Sequence, residues 1–342
     1  MGRQTVLLCV PWYSSLAVPL KNAFSSLGLD VVFFDYRTIE GNLRNDITTI
    51  VPLSQGLIAT LLHNKKLSSK TLLNQALISI SKKINPSLIF FVKGETITTS
   101  TLKELKTLGY RTFCWQVDSV LQKEVWDKEK NLSKYFDFYL TCEPGKALQE
   151  VKKSGNKHVF YMLGAADHTS MTSSAHLTKK YDICIIGSYH PIREQYIKAL
   201  SDLDVHIWGW GDWKKSSVAT MYHGKSLKPD EMMDIYKHTK IVINIGRVLE
   251  STIPTNLKPF EAAQVGAFIL VDHKPNLKEV FIVGKEIDSF NSPEELRKKV
   301  EYYLGHPDKR EKMANALQRR VKQDHTYQVR LKNIFKEASI HF

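Results

Sequence analysis

TNLKPFEAAQVGAFILVDH (residues 255–273) holds a complete helix-then-strand unit in one short stretch. Thr255 or Asn256 can cap the helix, Pro259 fits its first turn, and Gly266 ends it. AFILVD (267–272) follows as an unbroken apolar run. A strand without polar alternation is buried on both faces, which is the pattern of a parallel sheet covered by helices.

The same unit recurs in both directions along the chain. TVLLCV (5–10), an amphipathic stretch to Gly28 and DVVFFDY (30–36) come first. SLIFFVKG (87–94), TTSTLKELKTLG (98–109) and YRTFCWQVD (110–118) follow, then FDFYLTC (136–142), PGKALQEVKKSG (144–155) and HVFYML (158–163). ADHTSMTSSAHLTKK (166–180) has no helical or strand period and interrupts the alternation as a linker. Alternation restarts with YDICIIG (181–187), a helix over 191–201, DVHIWGW (204–210) and KIVINIG (240–246), before the opening stretch. Beyond it the pattern predicts helices only, over about 293–304, 307–323 and 326–340. The expected architecture is two Rossmann-like α/β halves facing across a ligand-binding cleft, with C-terminal helices.

The 342 residues are 43% hydrophobic and 24% charged, which suits two globular domains and excludes a disordered or fibrous chain. A formal net charge of +13 suits an anionic partner such as a nucleotide, a phospholipid surface or nucleic acid; a solvated basic surface is the bland alternative. No apolar run approaches the roughly 18 residues that span a bilayer, and VLLCV (6–10) is too short for a signal-peptide core. Cys9, Cys114, Cys142 and Cys184 are scattered singly, as buried thiols of a cytosolic protein are.

Opposite charges at the start of the 258–265 helix point to chemistry beyond packing. Orphan N–H groups and the helix dipole favour an anion there, and Lys258 adds a full positive charge. Glu261 can accept hydrogen bonds from the two adjacent hydroxyls of a ribose. Local physics leaves open that Glu261 only complements the dipole while Lys258 is solvated. In GSYHPIR (187–193), Gly187 and Ser188 follow a strand and can offer N–H and hydroxyl groups to phosphate, with Arg193 on the next helix. HIWGWGDW (206–213) offers Trp208 or Trp210 for base stacking, with Gly209 admitting close backbone approach; tryptophans packed between strand and helix are the alternative. Lys93, Gly94 and Glu95 follow one strand of the first half and Asp118 another, and Asp167–His168 close that half. These can position or deprotonate an acceptor hydroxyl, or simply hydrate their loops. Neither GxGxxG nor GxxxxGK[ST] is present, and DLD (202–204) falls at a helix–strand turn away from the cleft edge, so no metal site is expected.

KPFEAAQVGAF (258–268), EIDSFNSPEELRKKVEYYLGHPDKR (286–310) and HTYQVR (325–330) together resemble the C-terminal half of CgeB-type glycosyltransferases, GT-B proteins related to glycosyltransferase group 1. VKGETI (92–97), WQVD (115–118), AADHTS (165–170), GSYHPIR and WGWGDW (208–213) resemble the family in the same order. The resemblance is strong over 181–331 and collinear before it. It implies an acceptor domain over 1–168, a linker over 169–180, a nucleotide-sugar domain over 181–324, and a final helix over 325–342 that crosses back to the first domain. It implies metal-independent sugar transfer from a nucleotide-sugar, with a UDP-sugar the expected donor and no further cofactor. The acceptor would be a glycan, a lipid-linked molecule or a protein, as in cell-envelope or spore glycan synthesis. The chain would be cytoplasmic, with peripheral contact at the inner membrane face allowed and nucleic acid not expected.

Glu261 matches the family's ribose-binding glutamate. Lys258 stands where the family usually has arginine, which keeps the charge and loses the bidentate fork. Retaining relatives carry Glu-x7-Glu; here the first position is Ile253, with Glu250 nearby but out of register. The mechanism expected from these pieces has Lys258, Arg193 and the helix N-terminus meeting the leaving diphosphate and Glu261 the ribose. Asn244, Arg247 and Asn256 would contact phosphate or sugar, and Asp118 or Glu95 would serve as base if the reaction inverts. Two rivals share the pattern: a nucleotide-sugar epimerase of the same architecture, and an inactive nucleotide- or glycan-binding module.

Overall fold

The computed structural model describes residues 4–11, 14–35, 69–174, 177–224, 227–246 and 256–342. These divide into two compact units, one formed by Met1–Leu163 with Gln328–Phe342 and the other by Gly164–Tyr327. Each is built on a six-stranded, all-parallel sheet.

The first sheet has the order β2-β1-β3-β4-β5-β6, with β1 Thr5–Cys9, β2 Asp30–Phe34, β3 Leu88–Val92, β4 Thr112–Gln116, β5 Phe138–Thr141 and β6 Val159–Tyr161. β3 and β4 are buried at every position, because helices cover both faces. On one face Leu7, Cys9, Ile89, Phe91, Cys114 and Tyr139 pack with Leu73 and Leu77 of α2 (Ser69–Ile84) and Leu102 and Leu105 of α3 (Thr99–Thr107). On the other, Phe90, Phe113 and Phe138 form a stacked row, with centroids 6.2 and 4.3 Å apart. Phe24 of α1 (Ala17–Ser26) and Phe335 of the last helix meet that row edge-on, at 5.3 and 5.9 Å.

The second sheet has the order β12-β11-β10-β7-β8-β9, with β7 Tyr181–Ile186, β8 Val205–Trp208, β9 Tyr222–Gly224, β10 Thr239–Asn244, β11 Ile269–Asp272 and β12 Asp288–Phe290. The chain runs outward from β7 to β9, returns beside β7 as β10 and continues the other way. Strand order therefore reverses between β7 and β10, and a doubly wound sheet opens a crevice there, beyond the carboxyl ends of the strands.

Two departures from the sequence pattern have a physical cause. β12 is a strand where only helices were expected: Leu270 pairs with Asp288 and Asp272 with Phe290. Two of its three residues are polar, so no apolar run announces it. β9 (Tyr222–Gly224) and the helix Lys123–Ser133 likewise carry little apolar sequence and are held by tertiary context. The stretch expected as a linker is bound to the second unit. Ala166 bridges to Thr326, the Asp167 amide donates to Gln264 Oε1 (2.9 Å), and the Thr172 amide donates to the Gln264 carbonyl (2.9 Å). Asp167 and His168, expected to close the first half, thus belong to the second unit. Among the described residues no helix is long and apolar enough to cross a membrane.

Candidate functional site

The helix of the opening stretch spans Lys258–Gln264 and begins where the switch between β7 and β10 opens. Its end is a Schellman closure: Gly266, at φ +68°, donates to Ala263, and Ala267 donates to Ala262 (3.0 and 2.9 Å). Its start differs from the sequence expectation. Leu257 is the cap residue and offers no side-chain bond, while Asn256 lies one position earlier and accepts from the Lys258 amide at 3.2 Å. Asn256 Nδ2 also donates to Oδ1 of Asn244 (3.1 Å), the buried last residue of β10. The two asparagines therefore tie the helix start to the strand beside it. Thr255, Ile253, Glu250 and Arg247 lie outside the described residues.

Lys258 is half-buried and Glu261 buried. Loss of solvation lowers the Lys258 amine's pKa; Glu261 pulls it back up and Arg193 pushes it down. The same two side chains act in opposite directions on the buried Tyr236 phenol, whose pKa is raised first by burial. Lys258, Glu261, Arg193 and Tyr236 thus form one electrostatic group beneath the crevice.

Arg193 is inside this group, not on the surface. It is 7% exposed, and its Nε and Nη1 donate to the carbonyls of Ile245 (2.8 Å) and Ser188 (2.6 Å). It ties the loop after β7 to the loop after β10. Gly187 makes room for it, since a Cβ there would come within 2.7 Å of Nη1. The glycines also work differently from the sequence reading. The Gly187 amide donates to the Trp208 carbonyl (2.8 Å) and continues the ladder. Gly209, at φ +148°, permits close approach, but what it approaches is the carbonyl of Gly187, into which a Cβ would collide. Ser188 is half-exposed beside them.

Trp208 is 8% exposed and belongs to an aromatic column with Tyr181, His206 and His223; the nearest ring, His223, stacks at 4.9 Å. Trp213 is fully buried and donates to the Gly187 carbonyl (2.9 Å), which leaves Trp210, 59% exposed, as the open indole of this loop. Both aspartates of DLD are engaged, Asp202 in an ion pair with Arg297 and Asp204 in a hydrogen bond with His206 Nε2 (2.8 Å).

Sequence reasoning missed one cation here. Lys274 is 7% exposed and pairs with Asp272 at the end of β11 (3.2 Å), whose other oxygen accepts from the Gly246 amide (2.9 Å). A lysine two residues past a strand resembles any surface lysine, and only the fold buries it.

In the first unit Lys93, at φ 64°, turns its chain so that Nζ reaches Asp118 Oδ2 at 2.5 Å. Asp118 is half-exposed, and Glu95 has Lys128 at 3.9 Å. Two buried glutamates, also missed, brace these loops. Glu129 accepts from the Gly94 amide (2.9 Å) and from the Tyr139 hydroxyl, and burial raises its carboxyl's pKa against the pull of those bonds. Glu143 accepts from the Ser119 hydroxyl through Oε2, while its buried Oε1 meets no donor among the described residues.

Residues 192–336, which carry most of the second unit's group, match the family model described as glycosyl transferase-like. No curated protein matches the sequence. Sucrose-phosphate synthase from Thermosynechococcus elongatus superposes with a TM-score of 0.66 at 11% identity, covering 98% of this chain and 99% of that one. HepE from Anabaena, in complex with UDP-glucose, gives 0.62 at 12%, covering 98% and 100%. A UDP-N-acetylglucosamine 2-epimerase gives 0.56 at 11%, covering 99% and 97%. The fold is GT-B.

Proposed function

We propose that the protein is a glycosyltransferase that moves a sugar from a nucleotide-sugar donor to an acceptor hydroxyl, with the second unit holding the donor. The observation that carries this is the switch-point group itself: Lys258 and Glu261 on the first turn of one helix, beside buried Arg193, with Lys274 buried past the end of β11. A diphosphate with an adjoining ribose offers the complementary pattern, two charges for the lysines and a diol for the carboxylate. The glycosyl transferase-like match across 192–336 supports the same reading.

In this mechanism the bond from the anomeric carbon to the diphosphate oxygen breaks, and the leaving group takes the electron pair. Lys258 and the helix N-terminus meet the charge that develops; preorganised groups of this kind contribute roughly 3 kcal/mol each. Arg193 acts as a positioning residue, holding the Ser188 carbonyl and so the shape of the loop. Glu261 holds the ribose. Asn244 and Asn256, locked together, orient the helix start and present amide edges to the donor. The acceptor oxygen bonds the anomeric carbon and gives its proton to Asp118 or Glu95 if the reaction inverts, or to a leaving phosphate oxygen if it retains. No step requires a metal. A UDP-sugar as donor, a glycan, lipid-linked or protein acceptor, peripheral membrane contact and membership of the CgeB-type subgroup belong to this proposal.

Calorimetric titration with UDP and a panel of UDP-sugars tests it. Lys258→Ala and Glu261→Ala are expected to weaken binding about ten- to a hundredfold, since each removes one charged hydrogen-bonding group, while thermal unfolding stays cooperative. Unchanged affinity in both variants would sink the donor assignment. An epimerase shares the fold, so incubation with UDP-N-acetylglucosamine alone separates the readings: interconversion without any acceptor favours the epimerase.

A further inference from the structure

Where the Lys258–Gln264 helix ends, the second unit contains a cavity of about 310 Å³, lined among others by Ser174, Lys179, Lys240, Gly266, Arg310 and Glu311. It lies at the amino ends of β7 and β10, remote from the switch point, and none of its residues takes part in the mechanism above. Lys179 and Arg310 are half-buried here and held in place by backbone. Lys179 Nζ donates to the carbonyls of Lys237 (2.7 Å) and Ser174 (3.4 Å). Arg310 Nη1 donates to the carbonyls of Tyr303 and Leu304, the latter at 3.2 Å.

Each cation therefore closes the C-terminal end of a helix, Pro229–Lys237 for the lysine and Pro293–Leu304 for the arginine. That role uses only part of their donor capacity: an ammonium has three donors and a guanidinium five. Among the described residues neither makes an ion pair. Lys240, the third cation of the cavity, is paired with Asp182 at 2.6 Å. Exposed Glu311 attracts both Lys179 and Arg310 at longer range, and Asp182 attracts Arg310. Burial and the neighbouring Arg310 charge lower the Lys179 pKa, and Glu311 pulls it back only in part. A third feature has the same sign. The helix Pro307–Asp324 begins at the cavity and its cap residue, His306, makes no side-chain bond to the first turn.

We propose that this cavity is a second ligand site that takes a small phosphate monoester or free phosphate between Lys179 and Arg310. The volume exceeds that of a phosphate group and leaves room for a small organic body. The anion removes the repulsion between the two cations, and Lys240 and the first turn of the 307–324 helix complete the field around it. Binding at this place bears on the donor helix. Ser174 Oγ donates to the Gly266 carbonyl at 2.6 Å, and Gly266 closes the helix whose first turn carries Lys258 and Glu261. The binding claim does not depend on the proposed activity.

Titration with inorganic phosphate in a phosphate-free organic buffer tests it, read by calorimetry and by thermal shift. Wild type and Lys258→Ala are both expected to give a saturable response, because the second variant removes only the diphosphate contact. Arg310→Gln and Lys179→Gln are each expected to weaken that response at least tenfold and to leave UDP binding unchanged. Arg310→Lys, which keeps the charge, serves if Arg310→Gln does not fold, and is expected to bind within a few-fold of wild type. Sedimentation with phosphatidylcholine vesicles containing phosphatidic acid distinguishes the source: retention that requires Arg310 and Lys179 assigns a lipid headgroup, and response to free phosphate alone assigns a soluble ligand. A phosphate response lost in Lys258→Ala but kept in Arg310→Gln and Lys179→Gln overturns the proposal, as does no response to either probe.

Discussion

After β3, β4 and β5 the first sheet delivers Lys93, Glu95, Asp118 and Glu143, three carboxylates and one lysine, with Glu129 buried beneath them. After β7, β10 and β11 the second sheet delivers Arg193, Lys258 and Lys274, with Asp272 and Glu261 between them. Both edges have the same parallel, doubly wound construction, so the frame does not choose the sign of charge. The bracing differs as well. The first edge is held by buried carboxylates that accept from a backbone amide, a tyrosine and a serine. The second is held by an arginine that donates to two carbonyls through a space left by glycine. Under the proposed function the acidic edge takes protons and the basic edge takes phosphate, and the contrast can be broken at either one.

The largest effect is expected at the acidic edge. Of Asp118→Asn and Glu95→Gln, one should lower transfer about a thousandfold, the scale of a lost general base, with UDP affinity unchanged. Steady-state transfer beside calorimetry measures it; if neither variant slows transfer, the inverting role of this edge is wrong. Next comes the bracing of the basic edge. Gly209→Ala combines a strained φ with a collision against backbone that cannot yield, and should destabilise the second unit by roughly 3 kcal/mol in a urea melt. A melt indistinguishable from wild type would mean that the loops after β7 and β8 are not held as described.

The smallest effect concerns pH. Under the proposed function donor binding favours charged Lys258, so affinity is present below its pKa and falls as pH rises through it. Because that pKa is lowered by burial, the fall should begin below the ordinary lysine range. Lys258→Arg stays charged throughout and should hold its UDP affinity where wild type has lost about tenfold. Parallel titrations of the two proteins across the alkaline range decide it, and identical profiles would assign the pH dependence to another group.

The strands built on apolar runs were legible because burial on both faces leaves its mark; β3 and β4 are buried at every position, and β7 and β11 at three consecutive residues each. β12 and β9 were not, since three residues pairing at a sheet edge need no apolar run. The helix Lys123–Ser133 is mostly charged, and its one decisive residue, Glu129, is buried only because Gly94 and Tyr139 come to it from β3 and β5. In the site, Lys258 and Glu261 could be singled out because their argument is local: charge, turn and helix end lie within four residues. Arg193 was singled out to meet phosphate, whereas its Nε is bonded across the switch point to the Ile245 carbonyl, 52 positions away, which no local rule predicts.

The four cysteines have a use beyond packing. All are free thiols at 0–1% exposure, and Cys9, Cys114 and Cys142 belong to the first unit while Cys184 belongs to the second. Burial pushes every one of them toward the unreactive protonated form, Cys184 to about 12. A thiol reagent is therefore blind to the intact protein, and each alkylated position records an opening event in the unit that contains it. Mapping which cysteine is trapped first ranks the two units by kinetic resistance to opening, with no label added to the chain.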